Sequence, residues 1–272
     1  MTRRKRKPKP PEPPSFQLLD THCHLDHMAN ADELPAQARE REIGICCATV
    51  TPAEYRAARE RFAGEPNVCV GVGLHPWWIA DGRCGDRELD ELVLLLREAY
   101  LVSEIGIDLG GKRAPTRDMQ ILAFETIVRA CAEHPKEGRV LSIHAVRAAE
   151  DVLDVLERFG LPLQTPCIFH WFSGTSDDFT RARRLGCYFS VNDYMLNAKK
   201  GREYLRIAPE DRLLLESDMP DVFDQPYPIE DWERFLVSAQ TRLAELRGCD
   251  PEELGAKMAE TANRLFTRAF AR

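Results

Sequence analysis

The sequence predicts an α/β fold, a (β/α)8 TIM barrel with one extra helix at the C-terminus. Three observations carry the prediction. Eight short runs read as strands, helical patterns alternate with them, and side chains able to bind metal stand at the ends of several runs. The runs are continuously apolar, as parallel strands buried on both faces must be. An open, doubly wound sheet is the alternative arrangement of the same alternation.

In chain order, residues 16–21 form the first strand and residues 31–42 a helix. Residues 43–50 read as a buried second strand. Thr51-Pro52 opens the next helix, because proline suits a first turn whose N–H has no intrahelical partner; this helix runs to about Phe62. Residues 67–74 are strand three. Within 86–99, Leu89, Leu92, Val93, Leu96 and Ala99 recur at helical spacing. Strand four covers 100–105 and leads into a glycine-containing loop at 106–112, then a helix over 116–133. Strand five is 139–143. Its helix, 147–158, turns Val152, Val155 and Leu156 inward. Strand six (165–169), a helix (176–185) and strand seven (187–191) follow. A weaker helical pattern covers 197–205, strand eight is 212–216, and helices over 229–247 and 251–271 end the chain.

Composition agrees. A chain of 272 residues with 44% hydrophobic content can bury one large core. No linker-like stretch follows residue 16, so 16–272 is expected to be a single domain. No apolar run reaches the roughly 18 residues a membrane span needs, and no apolar signal-peptide core begins the chain. The expected location is the cytoplasm, without membrane contact. Nine cysteines are an odd, irregularly spaced set with no Cys-x-x-Cys, and read as reduced thiols. Cys23 lies between two histidines, so on a strand it points away from them.

Residues 1–15 differ in kind. Arg3, Arg4, Lys5, Arg6, Lys7 and Lys9 are followed closely by Pro10, Pro11, Pro13 and Pro14, a composition expected to be disordered. With six basic residues here, the remainder is more acidic than the formal charge of −7. Such a tail either touches nucleic acid or is solvated without a role.

The strand ends carry the chemistry. Strand one ends in His22 and His24, strand four in Glu104, strand five in His144, strand six in His170 and strand eight in Asp218. Residues i and i+2 of a strand share a side, so His22 and His24 present two imidazoles together, and imidazole is the commonest metal ligand. In a (β/α)8 barrel these ends converge on one mouth, where active sites lie. Six donors exceed the three protein ligands of a mononuclear catalytic zinc. Two divalent ions bridged by Glu104 are expected, a pair suited to attack at phosphorus or a carbonyl. The mixed donor set admits zinc, manganese or magnesium. His75, at the end of strand three, either caps local structure or donates charge to a substrate anion. Trp77, Trp78 and Trp171 either stack nucleobases or pack a loop over the mouth. Arg147 either binds phosphate or sits in a first helical turn. Asp108 either supports a ligand or belongs to a turn.

The motifs Asp20-Thr21-His22-Cys23-His24-Leu25-Asp26, Gly73-Leu74-His75-Pro76, Glu104-Ile105-Gly106-Ile107-Asp108, Ile143-His144, His170 with Phe172-Ser173-Gly174, Leu213-Leu214-Leu215-Glu216-Ser217-Asp218 and Thr261-Ala262-Asn263-Arg264-Leu265-Phe266 resemble, in order, those of the TatD-type metal-dependent deoxyribonucleases, which are amidohydrolase-like barrels. The resemblance spans residues 17–270. It implies a metal-dependent hydrolase, a 3′–5′ deoxyribonuclease cleaving phosphodiesters by attack of a metal-bound water. By analogy, His22, His24 and Asp218 hold one ion, His144 and His170 the other, and Glu104 bridges. Asp218 also takes the proton of the attacking water and His75 contacts the phosphate. The implied partner is DNA, single strands foremost, or a nucleotide-type substrate. The alternatives are an esterase or amidase on the same barrel, for example one deacylating aminoacyl-tRNA, and a metal-binding hydrolase subunit with protein partners in a larger assembly. The chain departs from the family at Trp171, at Arg147 (one place later than in many members), at Trp77 and Trp78, and in its basic tail. These positions line the expected substrate side, so substrate choice is where it should differ.

Overall fold

A computed structural model describes residues 14–271. All but the last two residues of the expected basic tail lie outside the described residues. The strands are β1 (Leu18–Cys23), β2 (Ile43–Ala48), β3 (Val68–Gly71), β4 (Leu101–Asp108), β5 (Val140–Val146), β6 (Cys167–His170), β7 (Tyr188–Val191) and β8 (Leu213–Leu215). Between and after them run α1 (Leu34–Glu40), α2 (Pro52–Arg61), α3 (Pro76–Ala80), α4 (Asp86–Leu95), α5 (Arg117–Glu133), α6 (Ala149–Phe159), α7 (Ser176–Arg184), α8 (Asp193–Asn197), α9 (Lys199–Ile207), α10 (Ile229–Arg247) and α11 (Pro251–Phe270).

The strands are parallel in the order β3-β2-β1-β8-β7-β6-β5-β4. Val72, one residue past β3, closes the ends of that order: its N–H donates to Leu101 O at 3.0 Å and its carbonyl accepts from Ser103 N at 2.9 Å. The sheet is therefore a barrel and not an open sheet. One residue from every strand (Leu19, Cys46, Cys69, Leu101, Val140, Ile168, Tyr188 and Leu214) fills its lower interior, against Leu265, Phe266, Ala269 and Phe270 of α11. The extra C-terminal helix thus plugs the barrel floor. Asn263 ties it there, donating to Phe16 O at 2.8 Å and accepting from Phe16 N at 2.9 Å.

Three expectations need adjustment. The helix expected over 197–205 is two helices, α8 and α9, broken at Ala198, whose extended backbone (ψ 135°) cannot continue a helix. Helix α3 was not expected; Pro76 opens it and His75 caps it by accepting the Trp77 N–H. Strands β4 and β5 run past residues 105 and 143, because they stay paired from Ile105↔Ile143 to Asp108↔Val146. Glu104 and His144 thus lie within strands. All nine cysteines are free and all but Cys249 are buried.

Candidate metal centre

Simple alternation aims two of the expected ligands. His144 lies an even number of residues beyond inward-facing Val140, and His170 an even number beyond Ile168, so both stay on the interior face. His22 and Glu104 lie at odd spacings from Leu19 and Leu101, and strict alternation would turn both outward. Each strand carries a register shift at that point, between Asp20 and Cys23 in β1 and between Val102 and Ile105 in β4. A bulge re-aims the side chains that follow it. Glu104 takes φ 50° and Asp218, past β8, φ 58°, a region uncommon for non-glycine residues. Gly106 completes the β4 device: with φ +142°, a Cβ there would lie 2.0 Å from the His144 carbonyl oxygen.

The buried carboxylate of Glu104 is the hub. Its Oε1 lies 2.8 Å from His22 Nε2, 3.3 Å from His170 Nε2 and 3.9 Å from His24 Nε2. Its Oε2 lies 2.8 Å from His75 Nε2 and 3.7 Å from His144 Nδ1. Asp218 Oδ1 is 3.7 Å from His22 Nε2 and 3.6 Å from His24 Nε2. Donor atoms of His22, Glu104, His170 and Asp218 lie within 4.8 Å of one another, as do those of His75, Glu104 and His144. All seven residues singled out in the sequence meet here, although His170 clusters with His22, their rings stacked at 4.1 Å.

This geometry belongs to a known family. The profile of the TatD related DNase family matches residues 19–267. The chain is a member of that family. It is a TatD-type metal-dependent hydrolase. Among its relatives is the uncharacterized metal-dependent hydrolase YcfH of Escherichia coli K12, 27% identical over 267 residues, covering 92% of this chain and 95% of the relative. The 3′-5′ ssDNA/RNA exonuclease TatD of Citrobacter rodentium is 25% identical, covering 86% of this chain and 91% of that protein. The crystal structure of YJJV, a TatD homolog from Escherichia coli K12, shares the fold with a TM-score of 0.77 at 24% identity, covering 92% of this chain and 97% of that one.

The residues present fit metal ions better than they fit one another. Among the described residues every ion-pair partner of Glu104 is a histidine, and His170 Nδ1 is buried without a hydrogen bond. A buried carboxylate set among converging imidazole nitrogens, with no lysine or arginine, suits cations. Outer hydrogen bonds choose which nitrogen faces in. His24 Nδ1 donates to Ala48 O at 2.8 Å, so Nε2 is the nitrogen turned toward the carboxylates. His144 Nε2 donates to Asp108 Oδ2 at 3.1 Å, leaving Nδ1 inward, 3.2 Å from His170 Nε2. His22 Nδ1 pairs with Ser142 Oγ at 2.8 Å. His75 differs: its Nδ1 accepts the Trp77 N–H at 3.1 Å, so the neutral ring carries its proton on Nε2, toward Glu104. His75 is thus both the helix cap and a donor aimed into the centre.

The TatD-family centre separates its titrating groups. Burial pushes Glu104 up, but His75, His170 and His22 outweigh it and hold the carboxyl well below the usual range. Burial likewise opposes, and contact with His24 and the other histidines overcomes, the ionisation of Asp218, whose pKa lies low. Burial and the adjacent His22 hold His170 well below the usual histidine range, and burial lowers His75. His24 goes the other way: burial is outweighed by Asp218 and Glu104, and its pKa is pushed up to about 9.

Several supporting residues escaped the sequence reading. Asp20, buried beside β8, accepts from the backbone of His22 and Ser217, the Ser217 hydroxyl and Trp232 Nε1. Glu216 accepts from Asn192, Ser190 and the Trp171 N–H, fixing the turn after His170. The signal for Glu216 was there: a charged residue two before Asp218, ending an apolar run. Asp108 is a ligand support, as one reading had it.

The centre opens into a cavity of about 770 Å³, walled by Trp77, Trp78, Arg113, Trp171, Asp221 and Phe223 among others. Trp77 does two jobs, hydrogen-bonding Asp108 through Nε1 and facing the cavity. Trp171, at φ 42°, stacks on Tyr194 at 4.8 Å. Arg147 is exposed, precedes α6 and does not line the cavity.

Proposed function

We propose that this chain hydrolyses phosphodiester bonds of nucleic acid, single-stranded DNA foremost and from the 3′ end, using two divalent ions. The observation that carries the reading is Glu104, a buried carboxylate facing four inward-directed imidazole nitrogens and the open cavity mouth. A relative in the same family bears the name of a 3′-5′ ssDNA/RNA exonuclease. His22 and His24 through Nε2, with Asp218, would hold one ion, and His144 through Nδ1 and His170 through Nε2 the other; Glu104, whose Oε1 lies toward His22, His170 and His24 and whose Oε2 lies toward His144, would be shared between them. The imidazole-rich set suits zinc, with manganese or magnesium the alternatives. Bound ions would supply Lewis acidity toward a phosphoryl oxygen and lower the pKa of nearby water.

The protein's own groups do the rest. Asp218, ionised and with its side chain 18% exposed toward the cavity, accepts the proton of the attacking water. His75, whose Nε2–H faces Glu104 Oε2 at 2.8 Å, would turn that N–H to the phosphate once Glu104 holds the ions, and would stabilise the charge that develops there. One observation favours the second reading, an ester or amide substrate. Among the described residues, a single arginine and no lysine lines a cavity that also holds Glu104, Asp108, Asp218 and Asp221. The test is end-labelled single-stranded DNA incubated with zinc-, manganese- or magnesium-loaded protein, beside aminoacyl-tRNA and acylated small molecules. The reading expects DNA shortened from its 3′ end. Intact DNA with cleaved esters refutes it.

A further inference from the structure

The cavity contains one side chain whose placement the hydrolytic chemistry leaves unexplained. Arg113 sits in the 3₁₀ turn Gly111–Thr116 that follows β4, its guanidinium 4.0 Å above the Trp77 ring. Its contacts to other polar groups run through Nη1 alone, at 3.5 Å to Asp108 Oδ1 and 3.4 Å to Gly110 O. Both are long for hydrogen bonds. Asp108 has better partners: the Gly110 N–H at 2.7 Å, His144 Nε2 at 3.1 Å and Trp77 Nε1. Arg113 is therefore surplus to the support of His144, and its Nε and Nη2 have no hydrogen-bond partner among the described residues.

The turn itself is held firmly. Gln120 of α5, fully buried, accepts from Asp108 N at 2.7 Å and donates to Asp108 O at 3.0 Å and Thr116 Oγ1 at 2.9 Å, while Thr116 Oγ1 donates to Arg113 O at 2.7 Å. A planar fork, oriented by an aromatic face and carried on a fixed turn, is preorganised to bind a planar or tetrahedral oxyanion through two N–H groups. Among the described residues lining the cavity it is also the one arginine or lysine, beside the acidic side chains Glu104, Asp108, Asp218 and Asp221.

We propose that Arg113 is the specificity-determining cation of this hydrolase: it binds, through Nε and Nη2, a phosphate neighbouring the one being cleaved, and so selects chains of nucleotides over isolated diesters. This rests on the nuclease reading above. Substrates with a second phosphate gain a charge-assisted, bidentate contact; a lone diester gains none.

The test compares wild type, R113Q and R113K, all metal-loaded, on a single-stranded DNA oligonucleotide and on bis(p-nitrophenyl) phosphate. For R113Q, kcat/KM on the oligonucleotide should fall about 10- to 100-fold, mainly through KM. Its ratio to kcat/KM on the small diester should fall at least about 10-fold. The salt slope of oligonucleotide binding should shrink by about 0.7, the share of one phosphate contact on a single strand. R113K, charged but without the fork, should recover the salt slope and not the KM. Equal losses on both substrates would mean that Arg113 acts only through Asp108 and His144, and would overturn the proposal; so would an R113Q indistinguishable from wild type on the oligonucleotide. A wild type that hydrolyses the small diester but no oligonucleotide would instead overturn the nuclease reading, and this inference with it.

Discussion

Replacing Asp20 with asparagine should loosen the metal centre without touching a ligand. Oδ1 of Asp20 accepts the N–H groups of His22 (3.1 Å) and Ser217 (3.0 Å), and Oδ2 accepts the Ser217 hydroxyl and Trp232 Nε1 (2.7 Å). One carboxylate thus staples the strand carrying His22 and His24 to the segment carrying Asp218. Asparagine keeps one acceptor oxygen but turns an NH2 toward two donors. The serine hydroxyl can rotate and accept. The indole N–H of Trp232, fully buried, can only donate. One charge-assisted hydrogen bond is lost and one buried donor is orphaned, at a cost of about 2–4 kcal/mol. For a chain of this size, Tm should fall by about 5–15 °C. Metal affinity should drop about 10- to 100-fold, as when other groups that orient ligands are removed. Thermal melts of the apo protein and metal titrations read both. Phe at position 232 removes the clashing donor, so D20N/W232F should be more stable than the summed single effects by at least about 1 kcal/mol. A D20N protein melting within about 2 °C of wild type, or strictly additive single effects, would show that this staple does not hold the two ligand segments together.

Other expectations follow from the same geometry. Asp218→Asn should cost at least about 100-fold in hydrolysis, the lower end of what a general base contributes, while most metal is retained; a fully metallated variant within a few-fold of wild type would place the base elsewhere. In the metal-free protein His24, with its pKa pushed up to about 9, is cationic at neutral pH. It must be neutral to bind metal, so zinc uptake at pH 7 should release at least one proton and weaken as pH falls. Calorimetry in buffers of different ionisation enthalpy measures this, and uptake without proton release would contradict the assignment of His24.

Much of this architecture was legible because it depends on local pattern. His144, His170 and Asp218 stand at or just beyond the ends of largely apolar runs, and a barrel brings such ends together whatever the details between. His22 and Glu104 were legible in position but not in mechanism. The shifts that turn them inward arise from register against neighbouring strands, which no local pattern encodes. Asp20 was quoted within a motif, but its role depends on Trp232, 212 residues away in the chain. The break between α8 and α9 escaped because Asn197 to Arg202 carries no proline; the structure shows close local packing there, where a Cβ at Gly201 would sit 2.1 Å from Met195 O. His75 is the helix cap that one reading expects, whereas the hydrogen bond from Trp77 to Asp108 depends on a residue 31 positions away and is in neither reading of that tryptophan.

Glu104 would bridge the two ions of the proposed centre. The most direct measurement is elemental analysis with anomalous scattering on the purified wild type and on Glu104→Gln. Two divalent ions should lie in the wild type, flanking the Glu104 carboxylate among His22, His24, His144, His170 and Asp218, and the variant should lose at least the weaker one together with hydrolysis. Ions bound elsewhere, or a variant that keeps both ions and full activity, would contradict it.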